Sequence, residues 1–299
     1  MDKINFKSGF AAVVGRPNVG KSTLINALTG QKVAIVSSKP QTTRSNMLAM
    51  DNGDGYQIVF TDTPGVHRPR TSLGEFMNNS AAKSVDGVDC ALLVVEAGRE
   101  IYDLEKEILE NITSKKIPVI LVINKTDVSN KEDMLPQIEA FSQLCEFAAV
   151  VPVSAKRGGN LEALRKEILA LMPEGPAFYP DDIAADRTLR QMCEEIIREK
   201  ILRLLDKEVP HGTAVEIEEM KEEESITRIS AVIYCEKSGH KPIIIGKNGE
   251  SLKRIGSYAR EDMEKLLETK VFLKLWVKVR SDWRNKPTAL KELGYTEKE

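Results

Sequence analysis

The chain has 299 residues, 41% hydrophobic and 29% charged, and its 43 basic and 45 acidic side chains leave a net charge of −2. This length suggests two domains, and the apolar content excludes wholesale disorder. The near balance excludes a uniformly basic nucleic-acid coat but leaves room for a local basic face. Residues 181–230 hold 14 acidic and 8 basic side chains, net −6, whereas residues 231–290 hold 7 acidic and 13 basic, net +6. Such asymmetry fits a polyanion partner, or two solvated faces that attract each other.

Cys90, Cys145, Cys193 and Cys235 are too scattered for a CxxC pair, and His67, His211 and His240 supply no metal-ligand spacing. Reduced thiols and a cytoplasmic location are expected. Residues 1–10 lack the apolar run of a signal peptide, and no stretch approaches 18 apolar residues, so no membrane span is expected.

Short apolar runs at 10–14, 57–60, 90–95, 119–123 and 148–153 alternate with amphipathic stretches such as 104–112 and 161–171. Buried parallel strands joined by crossover helices read this way. Residues 46–50 add a strand, antiparallel if a hairpin returns it to 57–60. The expectation over residues 1–173 is an α/β domain, a mostly parallel sheet with helices on both faces. Proline and glycine crowd residues 172–180, and the linker is set at 174–182. Beyond it come a helix (186–205), strands (213–220 and 226–235), a glycine-bearing turn, a helix (250–267) and a strand (271–279). That order predicts an α+β domain over 183–299.

Gly15-Arg16-Pro17-Asn18-Val19-Gly20-Lys21-Ser22 matches GxxxxGK[ST] between a strand and a helix. The N–H groups of Gly15, Val19 and Gly20 can curl around a β-phosphate, with Thr23 beside them at the helix start. Lys21 should reach the β- and γ-phosphates, and the Ser22 hydroxyl should ligate Mg²⁺. Asp62-Thr63-Pro64-Gly65 follows the next core strand. Asp62 can hold Mg²⁺ through water, and Gly65 can offer its N–H to a γ-phosphate. Asn124-Lys125-Thr126-Asp127 follows residues 119–123. The Asp127 carboxylate can accept both N–H groups of guanine, whereas adenine would leave it unpaired. Lys125 can lie along the base, and Asn124 can tie its loop to the phosphate loop. In Ser154-Ala155-Lys156 the Ala155 N–H is the candidate donor to guanine O6.

These motifs resemble those of the translation-factor-related GTPases over residues 8–172. The resemblance implies a threonine that closes over Mg²⁺ in the GTP state. Thr43 is the preferred ligand, with Thr42 second. Val66 stands where Ras-like proteins carry a water-positioning glutamine and cannot orient water; His67 is the alternative base beside it. Asn18 stands where related GTPases use an asparagine to hold potassium against the phosphates, so slow, potassium-stimulated hydrolysis is expected. Its alternative role is to cap the loop. On this reading Lys21, Thr43, Gly65 and Asn18 carry catalysis.

Ile244-Ile245-Gly246-Lys247-Asn248-Gly249 leads into Leu252, Lys253 and Arg254 inside the basic region. A GxxG turn between a strand end and a helix start lets a nucleic-acid backbone approach two glycines. This resembles a type II KH domain. Ile244, Ile245, Leu252 and Ile255 would line the base groove, although most such residues also belong to the core, with Lys247, Lys253, Arg254 and Arg260 on phosphates. Trp276 reads as core; Trp283 and Arg284 either stack on bases or cover the end of the domain.

A GTPase domain followed by a KH domain resembles the Era family over almost the whole chain. That resemblance implies GTP/GDP and Mg²⁺ as ligands, and a monomeric factor in maturation of the small (30S) ribosomal subunit. It further implies binding near the 3′ end of 16S ribosomal RNA and peripheral association with the cytoplasmic face of the cell membrane. The competing reading is an RNA-binding module with a slow GTPase latch.

Overall fold

The computed structural model describes residues 6–295, which divide into two units. The first comprises residues up to Ala34, Thr43–Pro69 and Met77–Asp186; the second comprises Ile35–Thr42, Arg70–Phe76 and the residues from Arg187 onward.

In the first unit, β1 (Lys7–Val14) runs into α1 (Lys21–Thr29), followed by the hairpin β2 (Met47–Gly53) and β3 (Tyr56–Asp62). Then come α2 (Ser72–Lys83), which begins in the second unit, β4 (Cys90–Glu96), α3 (Asp103–Ser114), β5 (Val119–Asn124), α4 (Met134–Ser142), β6 (Ala149–Pro152) and α5 (Leu161–Leu171). The sheet order is β2-β3-β1-β4-β5-β6, with β2 antiparallel to β3 and every other pair parallel. Each central strand is apolar on both sides because both faces are covered. Ala11, Val13, Leu92 and Val94 meet Leu24, Leu28, Leu164 and Ile168 of α1 and α5. Their neighbours Ala12, Val14, Leu93 and Val95 meet Ile108, Ile112 and Phe141 of α3 and α4. The expected doubly covered sheet is present. Strand order reverses about β1, which places ligands beyond the C-terminal ends of β1 and β4.

Residues 174–186 form no free connector. Gly175 N donates to Phe6 O at 3.0 Å, Phe178 N to Gln57 Oε1 at 2.7 Å, and Met50 N to Ala184 O at 3.0 Å. Gln57 is a fully buried amide, and the crossing segment satisfies it. The first unit runs to Asp186.

The second unit contains α6 (Leu189–Leu204), β7 (Thr213–Glu223), β8 (Ile226–Cys235), α7 (His240–Ile245), α8 (Glu250–Leu267), β9 (Lys270–Val279) and α9 (Pro287–Glu292). Thr188 and Gln191 form a capping box that starts α6, a device worth about 1 kcal/mol. The sheet order is β7-β8-β9, antiparallel then parallel, so β9 is an edge. Ile197, Ile201, Ile229, Ala231, Ile255, Ala259 and Met263 build its core. One expectation fails: residues 243–245 are not a strand end but the last turn of α7. The second unit also contains the segment Ile35–Thr42, held by charged residues of α6. Arg198 donates to Gln41 O and Thr42 O, and Glu199 accepts from Val36 N at 3.2 Å. Arg198 is 2% exposed and Glu199 0%. Charges this buried persist only when paired and hydrogen-bonded, and Glu195 on Arg198 and Lys200 on Glu199 supply the pairs.

Candidate functional site

The loop from Gly15 to Gly20 wraps the N-terminus of α1. A side chain at Gly15 (φ 145°) would strike Val94 O at 2.4 Å, and one at Gly20 (φ 101°) would strike Asn124 Nδ2 at 2.3 Å. Glycine is required at both. Lys21 Nζ donates to Gly15 O at 3.0 Å and to Arg16 O at 3.1 Å. Burial pushes its ammonium down to about 8, against the opposing pull of Asp62. Arg16 is fixed outside the loop by Glu105 at 2.8 Å and lies 3.6 Å from the centroid of the Tyr102 ring. Asn18 (φ 65°) is exposed and makes no side-chain hydrogen bond among the described residues.

Three oxygens from separate segments converge beside Lys21. Ser22 Oγ donates to Asp62 Oδ2 at 2.9 Å, Thr43 Oγ1 to the same atom at 3.1 Å, and the two hydroxyls lie 3.0 Å apart. The Thr42 hydroxyl instead lies 2.9 Å from Ser37 Oγ and donates to Lys39 O at 2.7 Å. A buried carboxylate with two hydroxyls is a hard-oxygen donor set that fits Mg²⁺, so Ser22 and Thr43 would hold the ion and Asp62 would back it. Gly65 stands against the phosphate loop, where a Cβ would meet Pro17 Cα at 2.7 Å. Asn78 fixes the backbone of His67, and the ring nitrogen Nδ1 lies 3.2 Å from Gly65 O. That contact holds the imidazole on the backbone of its own loop.

At the end of β5, Asn124 Nδ2 donates to Val19 O at 2.9 Å while its Oδ1 accepts from Ala155 N at 3.0 Å. One buried amide thus joins the phosphate loop to the Ser154–Lys156 loop. The Ala155 N–H, the candidate donor to guanine O6, donates to Asn124 Oδ1 in this structure. Asp127 Oδ1 accepts from Ser154 Oγ at 2.7 Å, and that bond holds the carboxyl below its ordinary range. Lys156 adds positive charge nearby. Lys125 (φ 67°) pairs with Glu96 Oε2 at 2.8 Å. Burial opposes ionisation of Glu96, but Lys125 and Arg99 together hold its pKa down. Glu96 and Arg16 were missed by the sequence reading. Glu96 ends a core strand, the same signal that located Asp62 and Asn124.

In the second unit, Gly246 (φ 76°), Asn248 (φ 52°) and Gly249 (φ 79°) form the turn between α7 and α8. A groove of about 430 Å³ opens beside it, lined by Gly249, Leu252, Lys253 and Arg260 against Phe272 and Leu275 of β9. Lys247 and Arg254 flank this groove in sequence without lining it. Ile244 and Ile255 are fully buried in the core, and only Leu252 of the proposed apolar residues lines the groove; Ile245 packs on that core. Trp283 is 0% exposed, donates from Nε1 to Gly212 O at 3.0 Å and stacks on Tyr295, which fits the second of its two readings, covering the end of the domain. Arg284 is held by Glu236. Conversely Trp276, expected in the core, is 58% exposed.

Residues 10–125 match the family model for a 50S ribosome-binding GTPase, and residues 208–284 match that for a KH domain. The chain is 47% identical to GTPase Era of Ruminiclostridium cellulolyticum over 98% of both chains. It is 50% identical to GTPase Era of Clostridium acetobutylicum over 97% of this chain and 98% of that one. Among solved structures, a single-substitution variant of Aquifex aeolicus Era bound to GDP and AlF4− superposes with a TM-score of 0.94 at 41% identity, covering 98% of this chain and 100% of that one. Era in complex with MgGDPNP and nucleotides 1506–1542 of 16S ribosomal RNA gives the same values. With this identity across nearly the full length, the chain belongs to the Era family of GTPases.

Proposed function

We infer that the protein is a GTP-hydrolysing switch that binds the 3′ region of 16S ribosomal RNA and assists maturation of the small ribosomal subunit. The observation that carries this reading is the meeting of Ser22, Asp62 and Thr43 within 3.1 Å of one another. Thr43 directly follows a segment that α6 of the RNA-binding unit grips. A bound Mg²⁺ supplies positive charge to the phosphates, and Lys21 and the loop N–H groups add to it. Thr43 and Gly65 tighten on the γ-phosphate and relax when it leaves. RNA affinity follows that movement. The 16S-bound Era structure and the GxxG groove support the RNA partner. All four cysteines are free, and burial raises Cys90 and Cys193 to about 12, which suits a reducing cytoplasm. Among the described residues no helix is long and apolar enough to cross a membrane. Peripheral membrane contact rests on the family resemblance alone.

The test is RNA affinity in the GDP and GTP-analogue states, for the intact chain and for Gly249→Asp. At Gly246 a Cβ would meet Ser251 Cβ at 2.7 Å, whereas at Gly249 the space is open and only the positive φ of 79°, which aspartate adopts more readily than most residues, opposes the substitution. The expected result is nucleotide-dependent affinity, reduced at least tenfold by the substitution. Equal affinity in both nucleotide states would favour the latch. Potassium belongs to the same reading. The Asn18 side chain is exposed beside the phosphate loop, and a family resemblance gives it the ion-holding role. Asn18→Ala should erase the excess of the hydrolysis rate in potassium over sodium while leaving the rate in sodium within about twofold. An undiminished potassium effect would remove Asn18 from this role.

A further inference from the structure

Period-two alternation sends Val271 and Val277 of β9 into the core and leaves Phe272, Lys274, Trp276 and Lys278 on the opposite face. There Phe272 is 42% exposed and Trp276 58%. Cations interleave with these rings: Arg228 lies 5.3 Å and Lys274 5.6 Å from the Phe272 centroid. β9 is an edge strand, and Phe272 also lines the GxxG groove. The groove and this face are therefore continuous over one strand edge. We propose that the outer face of β9 is a second single-stranded RNA surface, on which Trp276 stacks a base and Lys274 meets phosphate after the strand leaves the groove.

Charge fixes the path. The acidic residues of this face, Glu216, Glu218, Glu219 and Glu223, belong to β7, two strands away; Glu218 pairs with Lys278 at 2.8 Å, Glu219 with Lys221 at 2.7 Å and Glu223 with Arg228 at 2.9 Å. Phosphates are repelled there and attracted along Lys270 and Lys274, so the RNA follows the edge strand rather than crossing the sheet. Aromatic rings alternating with lysines suit bases and phosphates in turn. A neutral apolar partner would have no use for the lysines.

This inference rests on the GxxG groove being an RNA site, and the experiment separates the two. The probes are RNA of nucleotides 1506–1542 and tetranucleotides tiled across it, since a GxxG loop clamps about four nucleotides. Trp276→Ala should weaken the long RNA about five- to a hundredfold and leave the best tetranucleotide within twofold. Lys274→Glu should act in the same direction, while Gly249→Asp weakens both probes. Because Trp283 is buried, the long RNA should quench mainly the emission of Trp276, and Trp276→Ala should remove that quenching. Long-RNA affinity unchanged in both face variants would overturn the inference and leave the face to a protein partner. Equal losses for long and short RNA would overturn it too, as an effect on the groove. If Gly249→Asp leaves the tetranucleotide bound, the groove reading itself fails, whatever the face variants do.

Discussion

Replacing Lys21 with methionine is expected to weaken binding of GTP and GDP by about two to three orders of magnitude and to abolish measurable hydrolysis. The side chain is 6% exposed and spans from α1 to the carbonyls of Gly15 and Arg16. Burial already draws its pKa down to about 8, so the charge is held there at a cost that bound phosphates relieve. Removing one member of a desolvated, hydrogen-bonded charge pair costs roughly 2–5 kcal/mol, which gives the expected loss. Methionine preserves the volume, and arginine should not rescue, because a planar guanidinium is too large for this buried position. Titration with fluorescent nucleotides checks the affinity, single-turnover assays check the chemistry, and a thermal melt checks the fold. Affinity within threefold of the unsubstituted protein would remove Lys21 from the phosphate site.

The phosphate, magnesium and base motifs were legible in the sequence because each sits at the C-terminal end of a core strand. There a buried apolar run stops abruptly at polar residues, as at Asp62 and Asn124. Their partners were not legible. Asn124 meets Val19 across 105 positions, and Arg198 meets Thr42 across 156. Nothing local in α6 announces that contact, yet three consecutive charged residues, Arg198, Glu199 and Lys200, are buried. Residues 243–245 failed for a different reason. Three β-branched residues in a row favour a strand, but Ile244 is fully buried as part of a short helix that Gly246 ends, so packing overrode propensity.

Trp276 was assigned to the core against its own pattern, whereas Trp283 was left between stacking on bases and covering the end of the domain. Strict alternation from Val277 places Trp276 on the outer face, so the signal was present in the pattern and was outweighed by the general tendency of tryptophan to be buried. Trp283 lies beyond the strand, where no period applies. Its burial depends on Gly212, 71 residues away, and on Tyr295. Arg284 pairs with Glu236 in the same region, so the end of the domain is closed by contacts that only the fold brings together.

Asp127→Asn should lower affinity for guanine nucleotides by about three orders of magnitude and raise affinity for xanthine nucleotides enough to reverse the preference. Guanine presents its ring N–H and exocyclic amino group to one carboxylate, and an amide can accept only one of them while its NH₂ faces the other donor. Xanthine carries an oxygen in place of that amino group, so the same amide is satisfied. Sites built on paired polar groups discriminate by such mismatches over several orders of magnitude. The structure favours a clean exchange: Ser154 Oγ lies 2.7 Å from Asp127 Oδ1 and can donate equally to an amide oxygen in its place. That bond orients the NH₂ of the substituted side chain toward the base. Ser154→Ala should therefore weaken guanine binding only about tenfold and create no xanthine preference. Competition between GDP and XDP for each variant decides the matter. Unchanged GDP affinity in Asp127→Asn would mean that the base is read elsewhere.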